Sequence, residues 1–124
     1  MSMLELLQVK KVSVSAEEVI LEMPVNENVH QPMGYLHGGA SVFLAETAAS
    51  LGALEHCEQG LLPVGLEINA NHIRPMKEGI LVAKATPVHK GKTTMVWEIK
   101  LTTKETHALI CLSRCTIALK APRA

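Results

Sequence analysis

Gly39-Ala40-Ser41-Val42-Phe43-Leu44-Ala45-Glu46-Thr47-Ala48-Ala49-Ser50-Leu51-Gly52-Ala53-Leu54-Glu55-His56 is the stretch that decides the fold. It is the only long helix candidate, closed by Gly60 and Pro63. A helix on a globular surface carries a polar stripe about half its circumference wide. Here Ala40, Val42, Phe43, Leu44, Ala45, Ala48, Ala49, Leu51, Ala53 and Leu54 cover nearly every direction. Such a helix needs apolar cover almost all round. The run from Ala40 to Leu54 carries Glu46 within it and is shorter than the roughly 20 residues a bilayer span requires, so that cover is expected to be protein. One sheet wrapped about the helix supplies it, provided the flank left open meets a second subunit. The small residues Ala45, Ala48, Ala49, Gly52 and Ala53 let backbones approach closely, and an oligomer is expected.

The sheet is written on either side of the helix. Residues 9–14 and 18–24 are short and rich in Val, Ile and Leu, and Ser15-Ala16-Glu17 between them predicts a hairpin. From Val64 onward the pattern has period two. Leu66, Ile68 and Ala70 alternate with Glu67, Asn69 and Asn71; a second strand runs from Ile80 to Val88. Met95, Trp97, Ile99 and Leu101 mark a third, and Leu109, Cys111, Cys115, Ile117 and Leu119 share one face of a fourth. Short turns at Lys77-Glu78-Gly79 and Lys90-Gly91-Lys92 predict an antiparallel meander extended by the early hairpin. With no repeat or linker in 124 residues, 1–124 is expected to be a single α+β domain.

Composition removes several classes of function. Twelve basic and twelve acidic residues leave no net charge, so no field draws the chain to nucleic acid or an anionic membrane. Tyr35, Phe43 and Trp97 are too few and scattered to stack single-stranded bases. The first ten residues lack a basic leader with a long apolar core, and Cys57, Cys111 and Cys115 form no Cys-x-x-Cys pair; a cytoplasmic location is expected. The six histidines show no metal-ligand spacing, and there is no Gly-x-Ser-x-Gly elbow or phosphate-binding glycine loop. Neither a metal nor a cofactor is expected.

Two features carry chemistry. An ionised carboxylate is costly to bury, so Glu46 must be paired, hydrogen-bonded, facing a pocket or protonated. Helical spacing puts Glu46, Ser50 and Ala53 on one face beside Thr47. On that spacing alone, a structural glutamate satisfied by strand Asn or His side chains fits as well as a functional one. His37-Gly38-Gly39 opens the helix, where N–H groups lack internal partners and carry partial positive charge. Without a Cβ in the way they can polarise a carbonyl oxygen; a tight loop-to-helix turn explains the glycines equally well. Arg74, Lys77, Lys90 and Lys92 lie near strand ends, as a solvated rim or as a hold for phosphates.

The run Gln31-Pro32-Met33-Gly34-Tyr35-Leu36-His37-Gly38-Gly39-Ala40-Ser41, followed by Ala45-Glu46-Thr47-Ala48-Ala49-Ser50, resembles hot-dog-fold thioesterases. The branch is that of the phenylacetic-acid-degradation, 4-hydroxybenzoyl-CoA (Arthrobacter-type) and 1,4-dihydroxy-2-naphthoyl-CoA thioesterases. Val64-Gly65-Leu66-Glu67-Ile68-Asn69-Ala70-Asn71-His72-Ile73-Arg74 is similar to that branch's strand after the helix. The resemblance implies a curved antiparallel sheet of five to six strands around one long helix, in dimers that stack as tetramers. It implies hydrolysis of an acyl-CoA, with Glu46 of one subunit facing Gln31, His37 and Gly38 of the other. The residue matching Glu46 is nucleophile or general base in that family, and the N–H matching Gly38 polarises the carbonyl. The residue matching Gln31 places water or the leaving group, and that matching Ser50 lines the pocket. CoA contacts fall on positions matching Gly65, on His72-Ile73-Arg74-Pro75 and on His89-Lys90-Gly91-Lys92-Thr93-Thr94. The short N-terminus and Pro75, where the branch often has a small polar residue, depart from the pattern.

The leading expectation for the acyl group is aromatic, with 1,4-dihydroxy-2-naphthoyl in menaquinone synthesis first. Two other readings belong to the same fold. An acyl-thioester dehydratase or hydratase would need a His and an acid in another context and a Pro-rich loop that is absent here. A non-catalytic acyl-CoA sensor would carry a separate DNA-binding segment, for which 124 residues leave no room.

Overall fold

The computed structural model describes residues 1–58 and 60–122. A short helix α1 (Met3–Leu6) precedes the hairpin β1 (Lys10–Val14) and β2 (Val19–Val25). A 3-10 turn, Glu27–Val29, and a loop then lead into α2 (Gly38–Leu54). Four long strands follow: β3 (Leu62–His72), β4 (Gly79–Lys90), β5 (Thr94–Thr103) and β6 (Leu109–Lys120). All pairings are antiparallel, in the order β1-β2-β4-β5-β6-β3. One six-stranded sheet therefore curls along α2, as expected of the hot-dog architecture.

Two expectations about the sheet are corrected. The later strands are not a simple meander. β2 takes the place beside β4, so β3 crosses to the far edge and pairs with β6 instead. The crossing segment is tied down by the Ile73 and Arg74 N–H groups, which both donate to the Ile110 carbonyl, and by buried Met76. The alternation in β3 is also broken. Gly65 lies opposite Ile117 and Glu67 opposite Thr116, so a β-bulge inserts one residue and shifts the phase. Leu66 is consequently exposed, while Ile68 and Ala70 pack against the core.

Trp97, Leu21, Met23, Leu44, Leu81, Met95, Ile99, Leu101 and Ile117 are fully buried between sheet and helix. Each large side chain so buried contributes about 1.5–3 kcal/mol. On α2 the buried residues are Ser41, Leu44, Ala45, Ala48, Ala49, Gly52 and Ala53. Val42, Phe43, Glu46, Thr47, Ser50 and Leu51 form a second, partly open face that continues into exposed Leu54. Ala53 thus belongs to the closed side and not beside Glu46. The chain leaves the helix through one further turn, in which the Cys57 thiol donates to the Ala53 carbonyl.

Candidate active site

The start of α2 is built by a stapled loop. His37, in extended backbone, is the N-cap, and its Nδ1 accepts the Gly39 N–H at 2.8 Å. That bond uses the second glycine's donor; among the described residues the Gly38 N–H has no acceptor. Ahead of it, the Gln31 side-chain oxygen accepts from the Met33 and Tyr35 N–H groups at 2.6 and 3.2 Å. With its oxygen committed to the loop, Gln31 has its amide N–H donors left for a ligand. The Leu36 N–H donates to the Met76 carbonyl, and the His30 Nε2 bonds the Lys77 carbonyl at 2.7 Å. Lys77 also sits over the Tyr35 ring. This staple was not legible in the sequence, because its partners lie 40 or more residues apart.

Gln31, Gly38, His72, Ile73, Arg74 and Pro75 line one open cavity of about 360 Å³. His72, at the end of β3, lies so close over Gly38 that a Cβ there would be 2.8 Å from its Nε2. Glycine at 38 therefore serves close approach, not only the turn. The Arg74 guanidinium donates to the Leu109 carbonyl at 2.8 Å, which fixes its stem and leaves further donors facing out.

Glu46 and Ser50 face a different cavity, of about 480 Å³, walled by Phe43, Leu51, Leu54 and Pro63. Thr47 also lines it, but its hydroxyl donates back to the Phe43 carbonyl at 2.7 Å. Among the described residues the Glu46 carboxylate has neither an ion pair nor a hydrogen-bond donor. In β3, the Asn69 amide donates to Glu67. The structural-glutamate alternative is thus without its partners. The charge is felt nearby: burial first, then the Glu46 and Glu67 carboxylates, push the Cys115 thiol up to about 12.

On one chain the site residues fall into separate groups. Glu46 lies eight residues along α2 from Gly38, about 12 Å of rise. Lys90, Gly91 and Lys92 line a third cavity with His56, Glu58 and Leu61. Their turn is held by the Gly91 N–H on the Thr94 carbonyl and by the Leu119 N–H on the Thr93 carbonyl. His89 follows a second bulge, between Pro87 and itself. This group lies beside the start of β3, whereas His72–Pro75 lie at its end, a strand length of roughly 33 Å away. Sequence reasoning missed Phe43 and Pro63 as walls of the Glu46 cavity. It also missed what Gly65 meets: the nearest atoms to a Cβ there all belong to Glu46. A glycine inside a strand is a signal of close approach.

Comparison with known proteins shows the family. Residues 33–110 match the model of the thioesterase superfamily. The chain is 50% identical over 123 residues to the 1,4-dihydroxy-2-naphthoyl-CoA hydrolase of Listeria monocytogenes, covering 99% of each. A thioesterase of Staphylococcus aureus, solved with one glutamine changed to alanine, superposes with a TM-score of 0.91 at 42% identity, covering 94% of this chain and 97% of that one. A thioesterase of Haemophilus influenzae superposes with a TM-score of 0.91 at 40% identity, covering 97% of this chain and 83% of that one.

Proposed function

The chain belongs to the thioesterase superfamily and is a thioester hydrolase, and from that premise we propose that Glu46 acts on an acyl-CoA at a site shared by two copies. One observation carries the reading: an unpartnered carboxylate at the rim of an apolar cavity, on the same helix as an unused N–H at Gly38. As general base, Glu46 takes a proton from water while the oxygen adds to the thioester carbon. The resulting oxyanion is held by the Gly38 N–H, the C–S bond then breaks, and CoA leaves with the proton. As nucleophile, the carboxylate itself displaces CoA, and water hydrolyses the anhydride so formed. In both routes Gln31 donates to water or to the leaving group, His37 holds the helix start, and Ser50 lines the pocket.

Distance supports two copies. A thioester carbon cannot sit against Glu46 and the Gly38 N–H of one chain when about 12 Å of helix separates them. β3 is a long edge strand with Leu62, Val64 and Leu66 exposed, which suits pairing with a second copy. A homodimer, stacked further into a tetramer, brings one copy's Glu46 to the other's Gly38. It also lets one CoA draw on His72–Pro75 of one copy and His89–Thr94 of another, with Arg74, Lys90 and Lys92 as phosphate donors. An aromatic acyl group, 1,4-dihydroxy-2-naphthoyl first, suits the apolar walls and is what the Listeria relative's name says of that protein. No cofactor enters either route. Among the described residues no helix is long and apolar enough to cross a membrane; a cytoplasmic role in menaquinone synthesis is part of the same proposal.

Free thiol released from benzoyl-, 1,4-dihydroxy-2-naphthoyl- and fatty acyl-CoA tests this. Glu46→Gln is expected to lower kcat roughly 10²–10⁴-fold, and full activity in that variant would sink the role. Mixing Glu46→Gln chains with Gln31→Ala chains should restore up to about a quarter of wild-type sites, since half the dimers are mixed and each holds one intact site. No recovery after subunit exchange would place the whole site within one chain.

A further inference from the structure

We propose that Gly65 is the positioning residue for the Glu46 carboxylate, and that the β-bulge after it exists to turn that glycine toward α2. The proposal rests on the reading of Glu46 as the group that acts on the thioester. Glycine inside a strand is unfavourable, so it needs a reason. Backbone geometry is not the reason. The glycines with positive φ are Gly34, Gly60 and Gly79, and Gly65 is not among them. An alanine at 65 would find its conformation ordinary.

What excludes a side chain is Glu46. A Cβ built on Gly65 would overlap the Glu46 Oε2 and lie 3.3 Å from its Cδ and 3.9 Å from its Cγ. These are its three nearest atoms, so nothing rigid stands closer. The carboxylate therefore rests on bare backbone, and its flexible stem takes the rotamer that this floor allows.

The bulge makes the arrangement possible. Gly65 and His72 are seven residues apart, an odd number, and would face opposite sides of a regular strand. The inserted residue between Gly65 and Glu67 shifts the phase. Gly65 then meets Glu46 while His72 meets Gly38, so one strand supports both the start and the middle of α2. The two glycines are mirror devices: at 38 the ring of a strand residue presses on helix backbone, and at 65 a helix side chain presses on strand backbone.

Alignment is where a carboxylate's contribution is lost, since a displacement of about 1 Å can cost 10²-fold. Gly65→Ala is accordingly expected to lower kcat by roughly 10–100-fold. The melting temperature should be unchanged and KM altered by less than about threefold, because binding is not what was removed. Glu46→Asp withdraws the carboxylate by one methylene and should relieve the overlap. The double variant Gly65→Ala/Glu46→Asp should then lose much less than the product of its single losses. In a Glu46→Gln background, Gly65→Ala should change turnover no further.

Several results would overturn the proposal: an unchanged kcat in Gly65→Ala, a rise in KM alone, losses that multiply in the double variant, or a collapse of the melting temperature. The premise fails separately. If Glu46→Gln keeps full activity, the reading of Glu46 is wrong whatever Gly65→Ala does. If Glu46→Gln is inactive while Gly65→Ala is fully active, the reading stands and only the positioning role falls.

Discussion

On the sheet side of α2, Gly52 lies against the ring of Trp97; on the open side, Glu46 lies against Gly65. Each contact is a glycine meeting a side chain too close for a Cβ, yet the two differ in what would yield. Trp97 is fully buried in the core, with the His56 ring edge-on to it, and has little room to yield. Glu46 has a flexible stem and open space on its other side. One glycine is required by packing and the other by the position of a charge. Interior packing and the placing of a reactive group thus produce the same residue by different physics, and only the neighbour distinguishes them.

The comparison breaks most visibly in stability. Trp97→Ala is expected to cost about 3–5 kcal/mol, as deletion of a large buried side chain does. Part of that loss is returned, because the Trp97 Nε1 is buried without a partner and its removal relieves an unmet donor. Glu46→Gln, on the open face, should leave denaturation midpoints within about 0.5 kcal/mol of wild type. Chemical denaturation of both variants checks the contrast. A large loss of stability in Glu46→Gln would mean that the open face is structural after all.

A smaller effect separates the two glycines directly. Gly52→Ala should destabilise by about 1–3 kcal/mol through overpacking, whereas Gly65→Ala should not. The nearest atoms to a Cβ at Gly52 are Cη2, Cζ3 and Cζ2 of the Trp97 ring. Trp97→Phe removes the outer ring, so the added methyl should fill vacated space. The double variant Gly52→Ala/Trp97→Phe is then expected to be more stable than the two single losses predict. Additive losses would show that the strain lies elsewhere.

Much of this was legible from periodicity. The helix, the hairpin and the later strands follow from apolar spacing, and their ends moved by only a few residues. The choice of β3's partner was not, because period-two strands of similar composition carry no address, and it is β2 that takes the place beside β4. The bulge at Gly65–Glu67 was hidden for the same reason: Leu66 reads as an inner residue until the register is known. Which half of α2 stays open was equally hidden, since Leu51 and Leu54 look like Leu44 in sequence. In the site, Glu46, Gln31 and Gly38 stood out as residues out of place. That they occupy two cavities on one chain follows from helix rise, but their neighbours His72, Gly65, Phe43 and Pro63 needed the fold.

The smallest expected effect concerns the cysteines, which sample both regions. Cys111 and Cys115 face the closed core, and burial raises both thiols, Cys115 to about 12 with the added push of Glu46 and Glu67. Cys57 is half-buried beyond the helix end, and burial also raises it, but it is not closed into the core as the other two are. Thiolate is the reactive form. At a pH near 8.5 a thiol at about 12 is ionised to less than roughly one part in a thousand, before access is considered. A maleimide or disulfide reagent should therefore label one thiol per folded chain, at Cys57, and three in denaturant. Glu46→Gln removes one of the charges raising Cys115 and should lower its pKa, but the largest cause, burial, is untouched. Native labelling at Cys115 should stay as slow as global or local opening allows. Rapid labelling of Cys115 in the folded variant would show that the open face reaches through to the sheet. The two sides of α2 would then no longer be separate regions.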